Sequence, residues 1–203
     1  GDLDEYLEDR AENQVDQIGI ATGFTKYDFA IGGGLRKGTV NVIGARTKVG
    51  KSLIGLNMGA DIANRDVPVL YLDTEMTKKD QQNRGGSMIS YGTNGKSTIN
   101  DIETGKFADN DYRKNSLMEL AQNKKNIPFY HKNIGGKAFE DQLSIMRRWI
   151  AKVVGLNDQG KANDCVIIYD YVKLMEASEL ATIPVDALHV FVSADVGAVK
   201  LPV

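Results

Sequence analysis

The sequence predicts an α/β protein whose mostly parallel sheet is covered by helices on both faces, and two patterns carry this prediction. The first is a set of short, continuously apolar segments, which are typical of strands buried on both faces. The second is the alternation of these segments with stretches in which apolar residues recur at helical spacing. The strand candidates are "TVNVIG" (39–44), "VPVLYLD" (67–73), "NIPFYHK" (126–132) and "CVIIYDY" (165–171).

Helices are predicted between these strands. After the first strand, the apolar positions at helical spacing are Leu53, Leu56, Ala60 and Ala63. After the third strand, apolar residues fall at steps of four, three, four and three, at Phe139, Leu143, Met146, Ile150 and Val153. The three glycines at 32–34 indicate a turn, and the polar region 77–111 indicates shorter helices joined by turns. The end of the chain holds one further strand candidate, within "LHVFVSADVGAVKLPV" (188–203).

Composition narrows the class of protein. The chain has 203 residues and a formal net charge of −2, so we expect one domain and only local basic patches for any contact with nucleic acid. A lone cysteine, Cys165, excludes an internal disulfide and fits a reducing compartment. No apolar run approaches the roughly 20 residues that span a bilayer, and the acidic amino end does not resemble a signal peptide. We therefore expect a protein without a membrane partner.

A candidate phosphate-binding loop lies in "NVIGARTKVGKS" (41–52). Gly50, Lys51 and Ser52 match the end of the pattern Gly-x₄-Gly-Lys-Ser/Thr, whereas Ala45 stands where the first glycine belongs. In such a loop, backbone N–H groups surround phosphate oxygens, the lysine contacts the β- and γ-phosphates, and the hydroxyl binds Mg²⁺. Alanine is acceptable at the first position if its φ stays negative. The predicted nucleotide-binding residues are Ala45, Arg46, Thr47, Lys48, Val49, Gly50, Lys51 and Ser52.

Carboxylates end two of the predicted strands. Asp170 ends an apolar strand, at the edge where open α/β sheets bind ligands, and can hold Mg²⁺ there. Asp73 and Glu75 end a different strand, and either could orient or deprotonate an attacking water. The residues alone leave the choice between Asp73 and Glu75 open.

Together these segments resemble the ATPase domain of DnaB-type replicative helicases, which has a RecA-like P-loop NTPase fold. The phosphate loop of that family commonly begins Ala-Arg, as Ala45 and Arg46 do here. The family's strand-end Glu-Met followed by arginine is matched by Glu75, Met76 and Arg84. Three further segments resemble the family: "TGFTKYD" (22–28), "IETGKFADND" (102–111) and "IIYDYVKLM" (167–175). The likeness is clear from about residue 18 to about residue 176.

The resemblance implies a function and a set of roles. Lys51 would be catalytic through its phosphate contact, Ser52 and Asp170 would hold Mg²⁺, and Glu75 would be the catalytic carboxylate. It further implies ATP and Mg²⁺ as ligands and single-stranded DNA as a partner. The protein would form a homo-oligomeric ring, with a hexamer expected, and primase would be a further partner. The location would be the cytoplasm, or the host cytoplasm for a viral protein. The acidic composition of residues 1–17 indicates a separate arm or linker, either a solvated helix or an arm that docks on a neighbouring subunit. Residues 18–203 would form the RecA-like ATPase domain.

Other interpretations remain open at this point. Segments such as "AIGGGLRKG" (30–38) fit RadA- or RecA-like recombination proteins equally well, and a degenerate domain that only binds nucleotide is a third possibility. Asp195 stands where the helicase family has glutamine, and its basic finger and DNA-contacting loops have no clear counterpart. Arg84 is expected to form a structural salt bridge, and Lys124 and Lys125 to be solvated charges.

Overall fold

A computed structural model describes residues 2–15, 18–46, 48–172 and 189–195 of the chain. The strands are β1 (Val40–Ala45), β2 (Val69–Asp73), β3 (Phe129–Asn133), β4 (Val166–Val172) and β5 (His189–Asp195). The α-helices are α1 (Leu3–Glu12), α2 (Thr25–Ala30), α3 (Lys51–Ala63), α4 (Lys78–Ser90), α5 (Ile99–Thr104), α6 (Asp111–Asn123) and α7 (Phe139–Trp149). A short 3₁₀ helix spans Lys106–Asp109, and a π turn spans Ile150–Val154.

The five strands form one parallel sheet in the order β1-β5-β4-β2-β3. Because all the strands run the same way, their carboxyl ends meet at one edge. At that edge Asp73 of β2 lies beside Asp170 of β4, and Ala45 of β1 lies beside Asp195 of β5. Thus the predicted phosphate loop and both predicted acidic strand ends belong to the same edge of the sheet.

Prolines define where two of these strands begin. β2 starts directly after Pro68 and β3 directly after Pro128, although both prolines lay inside the predicted strands. Proline has no N–H to donate to a neighbouring strand, but its carbonyl can still accept. Accordingly, Pro128 O accepts from Val69 N at 2.8 Å, and Pro68 O accepts from Val166 N at 2.9 Å. The strands are thus shorter than predicted at their amino ends.

Helices pack on both faces of the sheet, which confirms the predicted fold class. Alternate residues of β2 and β4 point to opposite faces. On one face the buried cluster joins α3 to the strands through Leu56, Ile62, Val69, Tyr71 and Ile168. On the other it joins α7 to the strands through Leu70, Leu72, Met146, Ile167 and Tyr169.

Two predicted positions on these helices do not face the core. Leu53 is 58% exposed on the first turn of α3, whereas Met58 and Ile62 are buried, so the buried face of that helix is rotated from the predicted one. Val153 is also exposed, and Val154 is buried in its place. The π turn at 150–154 explains the second difference, because it carries one more residue per turn than the α-helical spacing assumes.

The polar region after β2 forms α4, α5, the 3₁₀ helix and α6. Each of the first two helices begins with a capping box. Thr77 Oγ1 accepts from Asp80 N at 3.2 Å, and the Asp80 carboxylate accepts from Thr77 N at 3.0 Å. Thr98 and Asp101 repeat the arrangement at the start of α5. These boxes satisfy backbone donors that the first turn of a helix leaves without partners.

The acidic amino-terminal segment forms α1, and no residue of this helix is buried. Its apolar side chains Leu3, Tyr6 and Leu7 are 69%, 61% and 55% exposed and share one face. None of the helices in the described ranges combines the length and the apolar character needed to cross a membrane.

Candidate nucleotide-binding site

The predicted phosphate loop connects β1 to α3. Lys48 and Gly50 have positive φ values of 66° and 98°, and Gly50 is the N-cap residue of α3. A Cβ built on Gly50 would meet nothing within 4 Å, so the space in front of this residue is open. Glycine is favoured here by its positive φ and not by close packing. Backbone that turns this sharply before a helix, beside open space, is a suitable place for an anion.

The 13-residue helix α3 directs its amino end at this loop. Gly50 has no side chain with which to cap the helix, and the first turn carries no acidic residue. The positive end of the helix dipole is therefore not neutralised by an acid of its own first turn. Lys51 and Ser52 are half-buried at the first two helical positions. Thr47, which was predicted to belong to the loop, lies outside the described residues.

Asp170, the predicted Mg²⁺ ligand, is buried on β4 with 3% exposure. The Tyr71 hydroxyl on neighbouring β2 donates to Asp170 Oδ2 at 2.7 Å and lies 3.4 Å from the carbonyl oxygen of Ser52. Burial and, after it, the negative charge of Asp170 raise the pKa of the Tyr71 phenol well above its ordinary value, so Tyr71 remains a donor. Tyr71 thus connects the predicted metal acid to the start of α3, a role that the sequence did not suggest.

The two acids at the end of β2 have different surroundings. Asp73 is 1% exposed, and its Oδ1 accepts from the backbone N–H groups of Glu75 at 2.8 Å and Met76 at 2.7 Å. Its Oδ2 accepts from Gln81 Nε2 at 3.0 Å and lies 3.6 Å from His131 Nε2. Asp73 therefore closes the turn that follows the strand.

These contacts also set the pKa of Asp73. Burial acts to raise the pKa, but the contact from His131 and the backbone donors together outweigh it. The hydrogen bond from Gln81 acts in the same direction, and the pKa of Asp73 is held below its ordinary value. A carboxylate with this many donors around it is a poor base.

Glu75 instead is exposed, at the rim of a cleft of about 320 Å³ that we call the Glu75 cleft. Asp80, Asn83, Arg84 and Glu103 also line this cleft. Within the described ranges, no hydrogen bond or ion pair engages the Glu75 carboxylate. Arg84 likewise forms no ion pair with a described residue, so the expected structural salt bridge is not found. The structure therefore distinguishes the two acids between which the sequence did not decide. Asp73 holds the turn together, and Glu75 is exposed on it.

The chain is similar to known helicase domains. Residues 19–186 match the family model described as the DnaB-like helicase C-terminal domain. A replicative DNA helicase DnaB of Synechocystis is 25% identical over 172 residues, or 83% of this chain, and that of Treponema pallidum is 39% identical over 77 residues, or 37% of this chain. The matched segments are only 18% and 17% of the two relatives, so the likeness covers less than a fifth of the length of either.

Two solved structures share the fold. A DnaB-like replicative helicase, studied with its interactions with primase, superposes with a TM-score of 0.70 at 17% identity, covering 96% of this chain and 49% of that one. A second structure, described as an ATPase domain, superposes with a TM-score of 0.69 at 18% identity, covering 96% of this chain and 71% of that one. The sheet is therefore a RecA-like one, and the chain belongs to the family of DnaB-like helicase C-terminal domains.

Proposed function

We propose that this chain is the ATP-driven motor domain of a replicative DNA helicase, which unwinds duplex DNA by translocating on single-stranded DNA. One observation carries the proposal: the amino end of α3, the buried Asp170 and the turn that presents Glu75 lie at one edge of one sheet. Hydrolysis of a metal–nucleotide complex requires a phosphate cradle, a metal-binding carboxylate and a group that activates water. Of the alternatives, a domain without turnover needs only the first two, and a recombination protein would differ in its action on DNA.

The binding half of the site is formed by the loop and β4. The backbone N–H groups around Gly50 would surround the phosphates, and Lys51 would contact the β- and γ-phosphates. Ser52 and Asp170 would hold Mg²⁺, which supplies positive charge against the phosphate oxygens when bound. The hydrogen bond from Tyr71 fixes the Asp170 carboxylate before any ligand arrives, which lowers the entropic cost of binding.

The hydrolytic half is Glu75. Its carboxylate is exposed in the Glu75 cleft and is not engaged by the turn that carries it, so it can accept a proton from water in line with the γ-phosphate. Asp73 cannot replace it, because its two oxygens already accept hydrogen bonds from the turn and from Gln81.

Nucleotide binding is tested by calorimetry with Mg²⁺-ATP. We expect Lys51→Ala to weaken binding at least about 10-fold, since a hydrogen bond to a charged group contributes roughly 1.5–3 kcal/mol. Lys114→Ala, which removes an exposed lysine of α6, is the matched control and should bind as the parent does. Equal affinity in the parent and Lys51→Ala would place the nucleotide elsewhere.

Turnover is tested with single-stranded DNA present. We expect Glu75→Gln to bind ATP normally and to hydrolyse it roughly 10²- to 10⁴-fold more slowly, as for loss of a general base. Glu103→Gln makes the same chemical change in the same cleft and should hydrolyse ATP at the parent rate.

Strand displacement from a forked duplex distinguishes a helicase from a recombination protein. A recombination protein would form filaments on single strands instead.

The assembly that we propose is a homo-oligomeric ring, with six subunits as the expected number, acting in the cytoplasm. Primase is included as a candidate partner because the DnaB-like structural neighbour is described with primase. The acidic arm would connect subunits through α1, whose apolar face of Leu3, Tyr6 and Leu7 is exposed.

A groove of about 660 Å³ between α3, α4 and β3 is the surface to which we assign α1 of a second copy. Its floor is apolar and includes Leu56, Met88, Ile89, Ile127 and Phe129. Its rim carries three lysines, Lys78, Lys124 and Lys125, against one acid, Asp61, which is itself paired with Arg65 at 2.9 Å.

Apolar and charged features of the groove therefore both complement α1, whose first turn carries Asp4 and Glu5. Sedimentation tests this assignment. Leu3→Ser with Leu7→Ser should reduce assembly, whereas Glu8→Gln on the same helix should leave most of it. If the double variant assembles at the same protein concentration as the parent does, the bridging role of α1 is excluded.

A further inference from the structure

The turn that presents Glu75 is held on both sides of that residue. On the amino-terminal side, the N–H of Thr74 donates to the carbonyl of Asp170 on β4 at 2.9 Å. Within the turn, Asp73 Oδ1 accepts from the N–H groups of Glu75 and Met76. These contacts anchor the turn to β2 and β4, the neighbouring strands that carry Asp73 and Asp170.

Asn133 supplies the corresponding contact on the carboxyl-terminal side. It ends β3, where it lies beside Asp73 of β2, and its Nδ2 donates to the carbonyl of Met76 at 2.8 Å. Its own amide oxygen accepts from Gly135 N at 3.1 Å, which fixes the orientation of the amide group. The N–H of Thr74, before Glu75, and the carbonyl of Met76, after it, are thus both connected to neighbouring strands.

The chain around Asn133 is itself packed tightly against the turn. Ile134 N donates to the carbonyl of Asp73 at 2.7 Å, and a Cβ on Gly135 would lie only 2.6 Å from the carbonyl oxygen of Thr74. The segment after β3 therefore lies directly against the backbone of the turn. Asn133, directly before this segment, contacts the turn beyond Glu75 through its side chain.

We propose that Asn133 is a positioning residue for the Glu75 carboxylate, an inference that rests on the proposed hydrolytic function. Glu75 is exposed, and its carboxylate forms no hydrogen bond or ion pair with a described residue, so its position is set by its backbone. Asn133 holds the carbonyl of Met76, the residue that follows Glu75, and so restricts the backbone of the turn one residue beyond the carboxylate. Displacement of a catalytic group by about 1 Å can cost on the order of 10²-fold in rate.

The test is a double-mutant cycle between positions 133 and 75, read in single-turnover hydrolysis of labelled ATP with single-stranded DNA. Asn133→Ala should lower the rate about 10- to 100-fold while the dissociation constant for ATP changes less than about twofold. Asn133→Asp is close in shape and keeps the acceptor for Gly135, but it replaces the donor to Met76. It should be impaired to a similar extent even where Asn133→Ala is poorly folded. Asn115→Ala, at an exposed position of α6, is the matched control and should match the parent.

In the Glu75→Gln background the Asn133 substitutions should cause little additional loss, because the group that they misplace is already inactive. An equal loss in both backgrounds overturns the positioning role, and so does a rise in the ATP dissociation constant that accounts for the slower rate. Unchanged hydrolysis in Asn133→Asp overturns it as well. If Glu75→Gln alone hydrolyses at the parent rate, the proposed function of Glu75 is what fails, and this result is distinct from the other three.

Discussion

Replacement of Asp73 separates its structural role from catalysis. The Asp73 side chain accepts two backbone hydrogen bonds through Oδ1 and one from Gln81 through Oδ2. Asp73→Asn keeps an oxygen for the two backbone donors but places an NH₂ group against Gln81 and His131. One hydrogen bond to a charged acceptor is lost in a buried position, so we expect a loss of about 1.5–3 kcal/mol in the free energy of unfolding. Asp73→Ala leaves both backbone donors without their acceptor and should cost more.

The loss is measured by urea denaturation, which also reports whether the exposed surface changes with the variant. The turn keeps its internal hydrogen bonds in Asp73→Asn, so ATP hydrolysis should stay within a few-fold of the parent rate. A variant of parent stability that no longer hydrolyses ATP would refute this reasoning and make Asp73 the catalytic carboxylate. Glu75→Gln provides the comparison, because it should leave the free energy of unfolding unchanged.

The dependence on pH has a definite sign. The pKa of Asp73 is lower in the folded protein than in the unfolded chain, where it is about 3.9. The carboxylate therefore contributes its full stability above about pH 4 to 5 and loses that contribution as the pH falls through the folded-state value. The difference in free energy of unfolding between the parent and Asp73→Asn should accordingly shrink as the pH is lowered from 5 towards 3. A difference that grows over this range would contradict the assigned sign.

Three further predictions concern the sheet, the loop and two glycines in helices. Tyr71→Phe removes the 2.7 Å hydrogen bond to Asp170 and should cost about 1–3 kcal/mol in unfolding free energy and raise the Mg²⁺ concentration needed for ATP binding. Gly50→Ala places a Cβ at a φ of 98°, so we expect a loss of roughly 1–2 kcal/mol together with weaker ATP binding by calorimetry. Gly59→Ala would bring a Cβ within 2.8 Å of two core side chains and should lower the melting temperature, whereas Gly85→Ala, with nothing within 4 Å, should raise it. The reverse order for the two helical glycines would show that close packing does not decide their effect.

The strands, and the edge of the sheet at which the site lies, could be predicted from the sequence because continuous apolar segments and helical spacing are local patterns. The four predicted strands are present, and the strand candidate near the end of the chain forms β5. The order of the strands in the sheet could not be predicted, because it depends on which segments pair across long separations in the chain. Nothing in "VPVLYLD" indicates that its neighbours are β4 and β3. The loop and its roles for Lys51, Ser52 and Asp170 remain predictions until nucleotide binding is measured.

The candidate site could be predicted only as far as its motifs extend. Tyr71 looks like one more apolar strand residue until β4 places Asp170 beside it, and Asn133 looks like a polar strand end until β3 places it beside the turn. Both roles arise from contacts across strands, whereas motifs describe neighbours along the chain. The choice of Glu75 over Asp73 followed from a resemblance and stays a prediction. The structure shows that β2 ends at Asp73 and that the side chain of Asp73 closes the turn.

The pairing of β1 has a consequence for how the protein is made. Among the described strands, β1 pairs only with β5, and Val40 lies beside Val190, about 150 residues later in the chain. A ribosome therefore releases the phosphate loop into solution long before the strand that supports it has been synthesised. Closing so long a loop is slow, and an unpaired strand edge is prone to aggregation while it waits. Nascent chains that end before residue 189 should fail to retain ATP, and the ability to bind nucleotide should emerge only after β5 has been synthesised.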